Sequence, residues 1–332
     1  MANDTVESKE NPQPVNDEKS RHGFSIWYHP IYTSGIHPEA RFPRDRYTKL
    51  VDKLKNPEYS DKFIIQQPIE ASRKELILAH DPYYVDHFLN QTLTEKEIKR
   101  IGLTPWTPQI VPRTLLLMGG AIAALDHVME NGGIAGNMAG GTHHAHYDFG
   151  SGYCIFNDLA VCSLLALSKY NVTKIAVVDF DVHQGDGTAT ILKNVDNVLT
   201  ISIHCRQNFP FRKSESDHDL ELPAGAGDEE MLAIVAKALE ITKQFDPELI
   251  LFQAGVDGLA TDALGKLNIT RQGMSKRNEM VFDLAVEQSI PTVVFMGGGY
   301  SDPIRHTIDA FGDLFLSASK ANIQFLSKVD SK

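Results

Sequence analysis

Two acids and a histidine stand where they can share one metal ion. Asp181 and His183 are two apart, just beyond an apolar run that ends at Asp179, and Asp257 follows a second such run. At a strand end, residues two apart face the same side, so Asp181 and His183 can reach a common ion. Two carboxylates and an imidazole suit zinc, and three protein ligands leave a position for water and a substrate carbonyl, as in a catalytic site. Each residue alone has a plainer reading, Asp181 as a helix N-cap and His183 as a hydrogen-bonded core histidine. The clusters around them favour the metal.

His143 and His144 follow the pair Gly140-Gly141, and Asp179 and Asp186 flank the Asp181/His183 pair. A carboxylate on one ring nitrogen fixes the tautomer and raises basicity at the other. Such pairs supply a base that deprotonates water and an acid that protonates a leaving amine. Tyr300 follows three glycines, and its phenol can donate to a developing oxyanion. Gly152 and Tyr153 close the segment Gly150-Ser151-Gly152-Tyr153, and Phe209 and Phe211 lie in Asn208-Phe209-Pro210-Phe211. These aromatics can wall a narrow apolar tunnel for an aliphatic stem, or pack as ordinary core.

Elements that position these residues are legible around them. Short β-rich runs at 133–138, 174–179, 198–204, 249–254 and 291–296 read as buried strands. Helical patterns at 113–130, 157–169, 228–244 and 272–288 lie between them. This alternation means an α/β fold, a central parallel sheet with helices on both faces. Every Gly, His, Asp or Tyr cluster falls just past a strand's C-terminal end, the edge where open parallel sheets build their sites. One domain over 23–326 is expected, after a disordered polar tail at 1–22 and before a short C-terminal tail at 327–332.

The 332 residues carry a formal net charge of -11, which argues against direct nucleic-acid binding through phosphates. The same charge would favour lysine-rich segments at the rim of a site. Cys154, Cys162 and Cys205 form no CxxC pair, and a reducing, cytoplasmic compartment fits them. No apolar run has membrane-spanning length, so no membrane partner is expected. Nothing in the pattern fixes an oligomeric state.

Taken together, the residues resemble the zinc-dependent histone deacetylase family. The matching segments are GGTHHAH (140–146), GSGYCIFNDLA (150–160), VVDFDVHQGDGT (177–188), ISIHC (201–205), QAGVDGLATDALG (253–265) and GGGY (297–300). HPEARFPRDRY (37–47) and the stretch 204–230 are most similar to the class IV branch and its bacterial relatives. The resemblance implies a single-domain arginase/deacetylase-like fold and removal of acyl groups, acetyl or longer, from lysine side chains of proteins or peptides. It implies zinc on Asp181, His183 and Asp257, catalytic roles for His143, His144, Asp179, Asp186 and Tyr300, and pocket positions at Tyr153 and Leu264. It further implies a structural potassium ion near Asp179, Asp181 and Ser202, with backbone oxygens of His183 and Ile203. Arg41 corresponds to an arginine beside the acetate exit channel. Gln184 departs from the family's usual histidine, Met296 precedes three glycines rather than four, and no rim aspartate is recognisable.

Three other readings compete. An arginase-type site with two manganese ions lacks acids where Gly185 and Leu259 stand. An acetylpolyamine amidohydrolase shares the catalytic set, but a polycation favours a carboxylate gate, and Leu264 is apolar. An inactive acyl-lysine reader is expected to have lost a ligand, the base or the tyrosine, and none is lost.

Overall fold

The computed structural model describes residues 23–330. The polar segment expected at 1–22 lies outside them, as do the last two residues. Eight strands form one all-parallel sheet: β1 (Phe24–Trp27), β2 (Phe63–Gln66), β3 (Ile134–Asn137), β4 (Ile175–Asp179), β5 (Val198–Cys205), β6 (His218–Leu222), β7 (Leu249–Gln253) and β8 (Thr292–Phe295). Their spatial order is β2-β1-β3-β8-β7-β4-β5-β6. The five strands expected from sequence are therefore the contiguous centre, β3-β8-β7-β4-β5.

All residues of β3, β4, β5, β7 and β8 are buried. That is what a sheet covered by helices on both faces requires, and why these strands read as unbroken apolar runs. The helices Ile110–Asn131, Asp158–Lys169, Asp228–Phe245 and Arg271–Gln288 match the expected four to within three residues at each end. Side-chain oxygens of Asn157 and Thr270 cap two of them, accepting from Ala160 N and Gly273 N. A helix at Arg46–Leu54 adds Tyr47, Leu50, Val51 and Leu54 to the core. The final helix, Arg305–Asp330, runs past the boundary expected at 326.

Register brings the loops to one edge. Asn137 pairs with Phe295, Phe295 with Gln253, Gln253 with Asp179, and Asp179 with Ser202. The first four are the last residues of their strands, so β3, β8, β7 and β4 end level. The segments that follow, at 138–146, 296–300, 254–258 and 180–187, leave the sheet side by side. This is how residues more than 150 positions apart in sequence come to face one cavity.

Candidate metal centre and active site

Asp181, His183 and Asp257 are buried and each offers a ligand atom, all within 4.8 Å of one another. His183 Nδ1 lies 3.0 Å from Asp181 Oδ1 and 3.1 Å from Asp257 Oδ2. Backbone amides hold both carboxylates. Gly298 N donates to Asp181 Oδ2 at 2.8 Å, and Val182 N donates to Asp257 Oδ1 at 2.9 Å. A Cβ at Gly298 would collide with Asp257 Oδ2, so only glycine lets the 297–299 turn pass so close.

The charges of this cluster suit a cation. Burial and the neighbouring Asp181 push the Asp257 carboxyl up to about 7. Burial alone would lower the His183 imidazole, yet the two carboxylates raise it to about 10. Two buried acids in contact are stabilised by a positive charge between them, which a metal ion held at this point would supply. The oxygen and nitrogen donor set fits a borderline ion such as zinc.

The histidine pair sits opposite. His143 Nδ1 meets Asp179 Oδ2 at 2.7 Å, and His144 Nδ1 meets Asp186 Oδ1 at 2.6 Å. The rings are 4.1 Å apart. Their environments differ. Burial disfavours charge on His143, but Asp179 and Asp181 overcome it and bring the imidazole up to about 9. For His144, burial and the adjacent His143 outweigh Asp186 and hold it at about 4. One ring thus favours the charged form and the other the neutral form, with Nε2 of His144 free of Asp186.

The glycine turn before the pair is fixed from behind. Asp158 accepts from Gly141 N at 2.9 Å and Thr142 N at 2.8 Å. Gly141 has φ +73°, and a Cβ there would strike the Gln253 side chain.

Tyr300 closes the site. Its backbone N donates to Asp262 Oδ2 at 2.6 Å, and its ring meets Tyr153 and Phe42 at centroid distances of 6.1 and 6.2 Å. Burial holds the phenol well above its ordinary value, so it stays a donor at neutral pH. Tyr153 sits at φ +67°, an uncommon conformation for a tyrosine and one found where a site over-determines the backbone. Phe209 packs edge-on to His144 at 4.9 Å, and Gly152 leaves room for the His144 ring.

Asp181, His183, His143, His144, Tyr300, Tyr153 and Phe209 line one cavity of about 560 Å³. Its outer walls are Tyr153, Phe209, Phe211 and Leu264, and its inner end is Phe42, Tyr47 and Leu117. Phe211 and Leu264 are exposed at the mouth, so they form a rim rather than an enclosed wall.

A model of the histone deacetylase domain matches residues 38–310. The chain belongs to the histone deacetylase family. A histone deacetylase 2 from Arabidopsis thaliana is 30% identical over 275 residues, covering 80% of this chain and 70% of that one. An uncharacterized protein of Picosynechococcus is 40% identical over 287 residues, covering 86% of this chain and 95% of its own. An acetylpolyamine aminohydrolase from Burkholderia pseudomallei superposes with a TM-score of 0.74 at 20% identity, over 89% of this chain and 98% of that one, and so shares the fold. The histone deacetylase family is metal-dependent, and Asp181, His183 and Asp257 form a possible metal site in this member.

Two expectations change within this deacetylase domain. Arg41 is exposed and does not line the cavity, while Arg46 and Arg113 are buried and do. Both are held by the hydroxyl of Tyr47 and by backbone carbonyls, Arg46 on Gly299 and Arg113 on Tyr32. The mouth also fails to follow the chain's net charge. Among the described residues Asp181 is the only carboxylate lining the cavity, and the charged rim groups are Arg100 and Lys266.

Sequence reasoning missed several residues that hold the site. Asn208 Nδ2 lies 3.4 Å from His183 Nε2 and donates to Leu264 O at 2.7 Å. Arg277 is buried behind the metal loops, donating to Phe180 O at 3.1 Å, Gly255 O at 2.6 Å and Ala254 O at 3.1 Å. His80 accepts from Asn157 N at 2.8 Å and contacts His146 O at 2.9 Å, which pins the histidine loop. Gln184 is turned away from the metal cluster and ties Ser214 and Asp219 together.

Proposed function

We propose that this protein is a zinc-dependent lysine deacylase, hydrolysing acyl-lysine in proteins or peptides. The observation that carries the reading is the convergence of two carboxylate-held imidazoles, a protonated phenol and the Asp181/His183/Asp257 cluster around one cavity. Zinc held by those three residues would supply a Lewis acid for the amide carbonyl and a lowered pKa for the attacking water. His144 takes the water's proton on Nε2 and returns it to the leaving lysine amine. Asp186 holds its other nitrogen and stabilises the imidazolium. His143, held between Asp179 and Asp181, adds positive charge beside the reacting carbonyl. Tyr300 donates its phenol hydrogen to the oxyanion from the opposite wall.

The lysine stem would pass between Tyr153 and Phe209, whose rings border the approach. Potassium is proposed at Asp179, Asp181 and Ser202 with the backbone of His183 and Ile203; Asp179 and Ser202 are register partners on adjacent strands. The class IV resemblance extends the proposal to acyl chains longer than acetyl. Each methylene that finds apolar surface contributes up to ~0.8 kcal/mol, so an open acyl channel gives a steep rise in kcat/KM with chain length. A panel of lysine peptides with acyl chains of increasing length, run beside N-acetylputrescine, tests the function. Hydrolysis of the peptides is expected; efficient cleavage of the polyamine with inert peptides would overturn the lysine assignment.

A further inference from the structure

The rim of the cavity carries a charge opposite to that of the molecule. Net charge is -11 over the chain. At the mouth, Arg100 stands beside the Tyr153 wall, where Tyr153 N is bonded to Ile101 O at 2.7 Å. Lys266 stands beside the Leu264 wall, next to Gln207 and Asn208. Both cations are exposed, and neither is in a salt bridge among the described residues. The Arg100 guanidinium rests on the Phe149 ring, 4.5 Å from its centroid, and the Lys266 ammonium donates to Gln207 O at 2.9 Å. The acids nearest in the chain direct their hydrogen bonds elsewhere, although Glu97 still feels the charge of Arg100. Glu97 accepts from the Thr94 backbone and hydroxyl, and Asp262 accepts three backbone amides. Exposed Phe211 adds an apolar surface to the same rim.

Resting on the deacylase reading, we infer that Arg100 and Lys266 select acyl-lysine in segments with acidic flanking residues, and disfavour lysine-rich segments and free polyamines. The acylated side chain is neutral and enters the tunnel; flanking carboxylates stay outside and meet the two rim cations. Such exposed pairs are individually weak and screened by salt, so the preference acts through KM and fades as ionic strength rises.

The test is a set of peptides with one fixed acyl-lysine and acidic, neutral or basic flanks, assayed at low and high salt. Acidic flanks are expected to exceed basic flanks in kcat/KM by about three- to tenfold at low salt. That ratio should shrink at high salt and reverse in Arg100→Glu and Lys266→Glu, whose melting temperatures serve as the folding control. Equal rates for all flanks, a preference for basic flanks, or a preference that both variants retain would overturn the inference. The neutral-flank peptide separates the two claims. If it is cleaved while flanks make no difference, only the rim assignment fails; if no acyl-lysine peptide is cleaved, the deacylase reading fails.

Discussion

Asp262 and Tyr300, 38 residues apart, are joined by a 2.6 Å hydrogen bond from the tyrosine's backbone N–H to the carboxylate. The other Asp262 oxygen accepts from Leu264 N at 2.8 Å and Gly265 N at 2.9 Å. One side chain therefore fixes both the Tyr300 backbone and the rim of the pocket. Tyr300→Phe, which removes one oxyanion donor, is expected to lower kcat by about 10²–10³-fold. Asp262→Ala should approach that loss by misplacing the phenol, and the double variant should lose little more than Tyr300→Phe alone. Steady-state kinetics of the three variants checks this. Losses that simply multiply would mean the two residues act independently.

The two histidines are expected to differ. His144 has Nδ1 on Asp186 and a free Nε2, whereas His143 is held between Asp179 and Asp181. His144→Ala should lose turnover in the range of about 10²–10⁴ expected for a missing general base, and His143→Ala should lose less. The opposite order in kcat would assign the base to His143.

Stability should carry a signature of His80. Burial pushes this imidazole from 6.5 down to about 4, against backbone acceptors at His146 and Tyr147 that favour its charged form. The unfolded chain therefore takes up a proton between roughly pH 6.5 and 4 that the folded chain refuses. The contribution is complete above the unfolded value and is lost as pH falls through this window, by about 3 kcal/mol in total. In His80→Gln the urea midpoint should fall less steeply over that window than in the unaltered protein. Parallel curves would show that His80 is not excluded from protonation.

The centre of the fold was legible because its strands are apolar on both faces. β4 reads IAVVD and β7 reads LILFQ, with nothing polar until the last residue, at the edge that carries the site. Outer strands gave weaker signals. β6 reads HDLEL and β2 reads FIIQ, both partly exposed, and β1 reads FSIW, its apolar run interrupted by Ser25. The metal and histidine clusters were legible because each follows a strand directly, so sequence adjacency and spatial adjacency coincide. Asp262, Asn208, Arg277 and His80 were not, because each acts on backbone or ring atoms far along the chain. Arg277 reaches Phe180 O from 97 positions away, and no local spacing records that. The rim charge was illegible for a related reason: net composition averages over the surface, whereas Arg100 and Lys266 come to line one cavity only in the folded chain.

The most direct test of the central claim is the rate of acyl-lysine peptide hydrolysis by metal-depleted protein as zinc is titrated back. The account predicts no turnover without metal and a rise that saturates near one zinc per chain. It also predicts no recovery at that ratio in Asp257→Ala, which lacks one of three ligands. Full turnover in the metal-depleted protein, or recovery in Asp257→Ala equal to that of the unaltered chain, would contradict it.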